Sequence, residues 1–257
     1  MKGKVVFITG ASAGIGEACA EVFAEAGARL ILMARRQEKL AEVCGRLFKK
    51  YGAEIYSITC DVRNYEELKK YIEALPEKWS TIDVLINNAG KAKGLSKIQE
   101  GELRHWHEMI DTNITGLLYL SRLILPKMVE QGFGHVINIG SIAGREVYPS
   151  GNVYCGTKAA VAAISKGMVI DLNGTGVRVT NIEPGLVETE FAAVRFDYDF
   201  EKGKTVYQGY KPLEARDIAE TALFCVTRPQ HVMIQDILIT PTDQASVNLV
   251  NKKGLRE

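Results

Sequence analysis

Short apolar runs alternate along the chain with longer stretches in which apolar and polar residues follow a helical spacing. The runs are rich in Val and Ile, as buried strands are, and the stretches between them are typical of amphipathic helices. The runs predict strands at 5–8, 29–34, 54–60, 83–86, 136–140, 177–182 and 233–240. The stretches predict helices at 16–26, 37–51, 64–75, 101–109, 114–131, 153–172 and 214–226. Because each strand leads to the next through a helical segment, the pattern predicts an α/β fold with a doubly wound parallel sheet of about seven strands.

The alternation runs from end to end without a linker, a repeat or a low-complexity tract. A length of 257 residues suffices for one sizeable core, so we expect a single domain over residues 1–257. Residues 191–212 contain aromatics, glycines and mixed charges with weak periodicity. Segments of this length without clear structure often bind ligands, and we expect residues 186–212, called the lid segment below, to cover the substrate.

Composition narrows the class of protein. Apolar residues make up 46% and charged residues 25%, as in an ordinary globular chain. The net charge of +1 argues against nucleic-acid or membrane-surface partners. The five cysteines are irregularly spaced, as is typical of reduced thiols. The start lacks an apolar leader, and the longest apolar segment, 116–126, is too short to span a bilayer. We therefore expect a cytoplasmic protein, and its four histidines show no metal-ligand cluster.

A glycine-rich turn, Thr9–Gly16, lies between the first strand and the first helix. Glycines there let the backbone approach a pyrophosphate, whose charge is met by amides at the helix N-terminus. A plain turn would use the same residues, and the spacing Gly-x-x-x-Gly-x-Gly differs from the common Gly-x-Gly-x-x-Gly. The position directly after the first strand favours a dinucleotide site. Its predicted contacts are Gly10, Ser12, Gly14, Ile15 and Gly16.

Arg35 and Arg36 follow the second strand, where an NAD-binding chain usually has Asp or Glu. Two cations ahead of a helix N-terminus are disfavoured by the helix dipole unless an anion joins them. The 2′-phosphate of NADP is such an anion, so NADP is the predicted cofactor; the alternative is a solvated surface pair. After the third strand, Asp61 with Val62 is expected to contact the adenine, or else to cap the next helix.

Asparagines mark two further positions. The fourth strand ends in Asn87 followed by Asn88, Ala89 and Gly90, small residues and amides that suit either close backbone packing at a ligand or a plain turn. Asn113 lies near the start of a long predicted helix. It is expected either to cap that helix or to hold a water in a proton path, and the pattern favours the cap.

Tyr154 and Lys158 are four residues apart on a predicted helix, so about 6 Å of rise separates two side chains on one face. An ammonium beside a phenol favours the phenolate, which is expected to lower the pKa of Tyr154 towards a working range. Ser141 follows the fifth strand, at the edge where α/β sheets bind ligands, and its hydroxyl suits a substrate oxygen. Alone, Tyr-x-x-x-Lys is common by chance on amphipathic helices.

The sixth strand is stopped by Pro184 and Gly185. Val187 and Thr189 follow, and the Thr189 hydroxyl is placed to reach a carboxamide or a phosphate.

Together these motifs resemble the short-chain dehydrogenase/reductase family in order and separation, over nearly the whole chain. The resemblance implies a Rossmann fold and hydride transfer between a nicotinamide and a carbon bearing a hydroxyl or carbonyl. By position it implies Tyr154 as general acid/base and Lys158 as the group that lowers its pKa and holds the nicotinamide ribose. Ser141 would orient the substrate oxygen and Asn113 would support a relay water. Glu183 stands where the family commonly has asparagine, which leaves local cofactor contacts open.

Five segments resemble more closely the NADP-dependent serine and 3-hydroxy acid dehydrogenase branch: 34–40, 139–144, 151–154, 183–187 and 194–196. The resemblance implies oxidation of L-serine, L-allo-threonine, 3-hydroxyisobutyrate or 3-hydroxypropionate, or reduction of malonic semialdehyde. A carboxylate substrate requires a cation near Tyr154. Arg195 in the lid segment is the first hypothesis, because an arginine fork matches a carboxylate, and Arg145 is the second. The competing interpretation of Arg195 is a surface arginine.

Two other functions remain open. An NADPH-dependent carbonyl or 3-oxoacyl reductase would have a wide apolar lid, and a non-enzymatic NADP-binding sensor would not require Ser141, Tyr154 and Lys158 together. The resemblance also implies a homotetramer built partly through the helix from Val153. Its small face, Ala159 to Ala163, permits close helix contact within or between subunits.

Overall fold

A computed structural model describes residues 1–196 and 198–252 of the chain. These residues form a parallel sheet of seven strands with helices around it. Its order is β3-β2-β1-β4-β5-β6-β9. A separate pair, β7-β8, joins the start of the lid segment to the residues directly after it. The strands are β1 (Val5–Thr9), β2 (Arg29–Ala34), β3 (Ile55–Thr59), β4 (Val84–Asn87), β5 (Gly134–Ile139), β6 (Val177–Pro184), β7 (Val187–Glu188), β8 (Leu213–Glu214) and β9 (Asp236–Ile239). Fold class and strand number were predicted correctly: this is a Rossmann-type α/β fold.

The described helices lie between these strands. They are α1 (Gly14–Glu25), α2 (Gln37–Tyr51), α3 (Tyr65–Glu73), α4 (Glu77–Ser80), α5 (Leu103–Ile110), α6 (Gly116–Gln131), α7 (Asn152–Asp171), α8 (Phe191–Arg195), α9 (Phe200–Thr205) and α10 (Ala215–Val226). A π-helical turn, Asp111–Thr115, joins α5 to α6, and 3₁₀ turns cover Ile98–Glu100 and Ile142–Gly144.

Helices on both faces of the sheet explain why Val5 to Ile8 of β1 are all apolar. All five residues of β1 are buried. Val6 and Ile8 pack with α1, α2 and α10 in one core, whereas Val5 and Phe7 pack with α3, α6 and α7 in the other. Alternate side chains of a strand point to opposite faces, so a strand covered on both sides needs an unbroken apolar run.

The order of strands reverses beside β1, whose neighbours are β2 and β4. Ligands of open parallel sheets bind outside the carboxyl ends of the strands at such a point. The glycine-rich turn after β1 and the Asn87–Gly90 segment after β4 meet there, which positions the site.

The differences from the predicted elements have local causes. Helix α2 has the predicted bounds, whereas β9 is shorter than the predicted run 233–240. The helix predicted from 114 begins earlier, because the π turn makes 103–131 continuous. The lid segment, expected without clear structure, contains β7, α8 and α9.

Among the described residues, α7 is long and apolar enough to cross a membrane by length and composition. That character has a source within the fold. Val161 and Met168 of α7 belong to the core beneath the sheet, and the helix packs against β6 and the 3₁₀ turn after Ser141. The apolar segment singled out in the sequence, 116–126, lies instead in α6.

Candidate active site

A cavity of about 820 Å³ lies along the carboxyl ends of β1, β4, β5 and β6, beneath the lid segment. This volume is in the range of small-molecule sites. Nearly all the predicted site residues line it: Gly10, Ser12, Gly14, Ile15, Arg35, Arg36, Asp61, Val62, Asn88, Ala89, Gly90, Ser141, Tyr154, Lys158, Pro184, Gly185, Val187, Thr189 and Arg195. Gly16, Asn113 and Arg145 are placed outside this lining.

The glycine-rich turn has a shape that side chains would prevent. Gly10 and Gly14 have φ angles of +66° and +55°, a region that favours glycine. A Cβ at Gly16 would lie 2.3 Å from the Gly10 carbonyl oxygen and 2.4 Å from Asn88 Nδ2. Ala13, the N-cap of α1, supplies no side-chain acceptor, so the first amides of the helix suit an anion. This cradle fits a dinucleotide pyrophosphate.

At the far end of the cavity, the two arginines after β2 have different surroundings. Arg35 is half exposed, and its closest acidic contact is Asp61 at 3.8 Å. Arg36 Nη1 donates a hydrogen bond to Glu190 Oε2 at 2.9 Å, and Nε donates to Ser12 Oγ at 3.4 Å. Arg36 is therefore part of the cavity wall, and the alternative of a solvated surface pair does not describe it.

Asp61 is held by a neighbour rather than by the next helix. Arg63 Nη2 donates to Asp61 Oδ2 at 2.7 Å. The N-cap of α3 is Asn64, whose side chain accepts from the Glu67 amide at 3.2 Å. The capping role considered for Asp61 is wrong, and contact with an adenine stays its predicted role.

Ser141, Tyr154 and Lys158 meet beyond the end of β5. Ser141 Oγ accepts from the Ala143 amide at 3.1 Å, which leaves the hydroxyl proton to donate elsewhere. Tyr154 and Lys158 are 9% and 6% exposed, and Lys158 Nζ donates to the Ile139 carbonyl at 2.8 Å. The strand end and one face of α7 thus place a hydroxyl, a phenol and an amine in one cavity.

Burial dominates the electrostatics of this group. It raises the pKa of the Tyr154 phenol, against which the charge of Arg195 and a hydrogen bond with Ser141 act. It lowers the pKa of Lys158 to about 8. Arg195 is the cation that favours the phenolate here, and the expected lowering of the Tyr154 pKa by Lys158 is not seen in this cavity. Lys158 directs its amine to a backbone carbonyl instead.

Asn113 lies inside a continuous helix and is 2% exposed, so the predicted capping role is wrong. Its Oδ1 accepts from the Lys91 amide at 2.8 Å. Its Nδ2 donates to the Lys91 carbonyl at 2.9 Å and to Thr157 Oγ1 at 3.0 Å. A Cβ at Gly90 would meet Asn113 Oδ1 at 3.4 Å and Lys158 Nζ at 3.6 Å. Asn113 therefore fixes the segment after β4 beside Lys158.

The structure brings Arg195 to Tyr154. Its guanidinium carbon lies 5.0 Å from the ring centroid of Tyr154, 5.5 Å from that of Tyr148 and 5.8 Å from that of Phe191. Nη2 donates to the Tyr148 hydroxyl at 2.5 Å. Nε is buried and has no hydrogen-bond acceptor among the described residues. The interpretation of Arg195 as a surface arginine therefore does not hold.

Arg145, the second hypothesis, has other partners. Its Nε donates to Glu183, which is 1% exposed, and its Nη2 lies 3.9 Å from Asp236. Glu183 also accepts from Asn181 Nδ2 at 2.9 Å. The acidic residue that departs from the family pattern is thus a buried partner of the half-exposed Arg145, and the pair ties the loop after Ser141 to β6.

Sequence reasoning missed several residues that line the cavity, among them Lys91, Tyr148, Glu190 and Phe191. Lys91 Nζ pairs with Glu108 at 2.8 Å. Lys91 and Glu190 each directly follow a predicted contact, Gly90 and Thr189, which was the available signal. Tyr148 carried no signal, because only the folded loop brings it to Arg195.

Comparisons with known proteins agree over almost the full length. The family model described as short chain dehydrogenase matches residues 4–198. The NADP-dependent 3-hydroxy acid dehydrogenase of Schizosaccharomyces pombe is 41% identical over 254 residues, 98% of each chain. Its counterpart in Escherichia coli K12 is 43% identical over 246 residues, 95% of this chain and 98% of that one.

A solved structure is equally similar. The closed form of serine dehydrogenase complexed with NADP+ has 43% identity and a TM-score of 0.91, covering 95% of this chain and 98% of that one.

Proposed function

The chain belongs to the short-chain dehydrogenase family, and on that premise we propose that its substrates are small 3-hydroxy acids. It is an NADP-dependent oxidoreductase acting on CH–OH groups. The proposed substrates are L-serine, L-allo-threonine, 3-hydroxyisobutyrate and 3-hydroxypropionate. Oxidation of 3-hydroxypropionate gives malonic semialdehyde. Each carries a hydroxyl two carbons from the carboxylate carbon, so a single geometry would serve them all.

NADP fits the residues of the cavity. The pyrophosphate would lie on the turn of Gly10 and Gly14, and the 2′-phosphate near Arg35 and Arg36. When bound, NADP supplies the acceptor of the hydride in oxidation and its donor in reduction. The remaining chemistry is movement of one proton, which falls to the protein.

Tyr154 is the proposed base. Its phenolate would take the hydroxyl proton of the substrate during oxidation and return it during reduction. Ser141, whose own acceptor position is used by the Ala143 amide, would donate its proton to the substrate oxygen. Lys158 would hold the nicotinamide ribose, and Asn113 would keep the segment after β4 in place for a relay water.

The observation that carries the substrate class is the Nε of Arg195, buried above Tyr154 and lacking an acceptor among the described residues. A buried donor without a partner is costly, and a substrate carboxylate would satisfy it. The aromatic rings of Tyr148, Tyr154 and Phe191 exclude water around the guanidinium, which strengthens a charged hydrogen bond. Arg195 lies in the lid segment, residues 186–212, which we propose closes over the bound acid.

The test follows NADP reduction at alkaline pH with the four acids, each repeated with NAD and with Tyr154→Phe. We expect turnover with NADP that is lost in the variant. Arg195→Gln should raise the KM for each acid, and Arg122→Gln, at an exposed position of α6, controls for a general loss of arginine charge. If none of the four acids were turned over and ketones were reduced with NADPH, the proposal would be contradicted.

That outcome would support the alternative, an NADPH-dependent carbonyl or 3-oxoacyl reductase. Apolar side chains favour it: Leu95, Leu186, Val206 and Val247 line the same cavity. They would receive a longer apolar substrate than any of the four acids. A non-enzymatic sensor would bind NADP and turn over neither class.

We also propose a cytoplasmic homotetramer. Ala159 and Ala163 are exposed on α7, and a Cβ at Gly156 would meet no atom within 4 Å. Such a small face permits close approach of a second helix. Analytical ultracentrifugation of the wild type should give four chains, and Ala163→Arg should reduce that number; a monomeric wild type would contradict the proposal.

A further inference from the structure

Glu190 joins the lid segment to the cations at the start of α2. Its Oε2 accepts from Arg36 Nη1 at 2.9 Å, and its Oε1 accepts from Lys39 Nζ at 2.7 Å. Both carboxylate oxygens are thus engaged, by residues 154 and 151 positions away in the chain. Glu190 is the N-cap residue of α8, so the contact fixes the base of that helix.

The cations that Glu190 engages would themselves attract an anion. Arg36 is the N-cap residue of α2 and Lys39 lies in its first turn, where the helix dipole disfavours positive charge. Ser12, Arg36 and Glu190 line the same cavity, and Arg36 Nε points to Ser12 Oγ. An anion is therefore required here, and the fold supplies a carboxylate where the proposed cofactor would bring its 2′-phosphate.

We propose that Glu190 is a specificity-determining residue, a carboxylate that occupies the 2′-phosphate subsite on Arg36 and Lys39 and is exchanged for the phosphate of NADP. Lys39 thereby becomes a further phosphate-binding residue. The inference rests on the proposed use of NADP. NAD carries a hydroxyl at this position, which cannot replace a carboxylate between two cations.

The exchange has a consequence for the substrate side of the cavity. Arg195 is the last residue of α8, five positions beyond Glu190. Releasing Glu190 from Arg36 and Lys39 frees the base of α8 from α2. Binding of the 2′-phosphate is thus coupled to the helix that carries the proposed carboxylate anchor. Burial raises the pKa of Glu190, but the hydrogen bonds from Lys39 and Arg36 lower it by more. The net pKa is below the ordinary value, so the carboxylate stays charged.

The test is a fluorescence titration of NADPH and NADH, without substrate, on the wild type, Glu190→Gln and Glu188→Gln. Glu188 is an exposed carboxylate on β7 and loses the same charge, so it serves as the matched control. In Glu190→Gln we expect the Kd for NADPH to fall about fivefold, the upper end of the effect that partly exposed ion pairs produce. The Kd for NADH should stay within about twofold, as both should in Glu188→Gln.

A second variant keeps the inference testable if Glu190→Gln is poorly folded. Lys39→Gln should weaken NADPH several-fold and spare NADH, and the loss should be larger when Glu190→Gln is also present. In the wild type, the binding free energy between Lys39 and the 2′-phosphate is partly offset by the loss of the Lys39–Glu190 ion pair. The effects of the two substitutions on the Kd are therefore coupled.

Two results would overturn the inference. One is an NADPH affinity that is unchanged or weaker in Glu190→Gln; the other is an equal gain for NADPH and NADH. A wild type that binds NADH as tightly as NADPH would instead refute the proposed cofactor, on which the inference depends. The substrate class plays no part in these titrations.

Discussion

The guanidinium carbon of Arg195 lies 5.0 Å from the centroid of the Tyr154 ring. A cation on the face of a phenol stabilises its phenolate and is itself held by the ring. One residue of the lid segment is thus placed to act both on the proposed proton-transfer group and on a substrate carboxylate. The lid would then contribute to the chemistry as well as to the exclusion of water.

This contact predicts a change in pH dependence. Oxidation needs the phenolate, so kcat/KM should rise with pH through the pKa of Tyr154. Arg195 opposes the rise of that pKa caused by burial, and Arg195→Gln should therefore move the rise to higher pH. The profile is measured with a neutral primary alcohol, which makes no ion pair with Arg195. An identical profile in both proteins would show that Arg195 does not act on Tyr154.

The buried Lys158 should destabilise the folded protein, although the proposed site requires it. Its pKa is lowered from 10.5 to about 8 by burial, so the folded state disfavours its charge. Relative to Lys158→Met, the wild type should be destabilised most below about pH 8. That penalty should vanish as the pH rises towards 10.5, a change of about 3 kcal/mol.

Denaturant unfolding of the two proteins between pH 7 and 10.5 measures this difference. The comparison with the variant cancels the other groups that titrate in the range. The variant should lack turnover at every pH. A difference in free energy of unfolding that is independent of pH would contradict the account of Lys158.

Asn113→Ala should destabilise the protein by about 2–4 kcal/mol, because the Lys91 amide and carbonyl and Thr157 lose a buried partner. Asn64→Ala provides the control, since it removes an exposed N-cap and should cost about 1 kcal/mol. Chemical denaturation compares the two. Equal losses would show that Asn113 contributes no more than a cap.

Arg145→Gln separates a structural arginine from a substrate-binding one. It leaves the carboxylate of Glu183 buried without its cation, which should cost about 3 kcal/mol of stability. The KM for a hydroxy acid should nevertheless stay within about twofold, because Arg145 is half exposed and lies outside the lining of the cavity. A large increase in KM, with stability retained, would indicate instead that Arg145 binds the substrate carboxylate.

The sequence predicted what depends on local periodicity. Apolar runs such as Val5–Ile8 have to be strands covered on both faces, and α2 could be bounded to the residue. The edge that gathers Ser141, Tyr154 and Lys158 follows from the same reasoning, because the carboxyl ends of parallel strands share one edge.

What depends on tertiary contacts could not be predicted. Asn113 was expected to begin a helix, but a π turn continues α5 into α6 and buries the side chain. The ammonium of Lys158 was expected to lower the pKa of Tyr154, yet burial raises that pKa and Arg195 is the cation that opposes the rise. Sequence gives neither the depth of burial nor the position of Arg195. Glu190 meets Arg36 only because the lid segment folds back over α2.

The most direct test of the account is the ratio of kcat/KM for 3-hydroxypropionate to that for 1-propanol, in the wild type and in Arg195→Gln. A charged hydrogen bond lost from a buried site weakens transition-state binding by about 30- to 1000-fold. We expect the ratio to fall by that factor in the variant, with the alcohol little affected at a pH where Tyr154 is ionised in both proteins. An unchanged ratio would show that Arg195 does not bind the carboxylate, and the proposed substrate class would lose its structural basis.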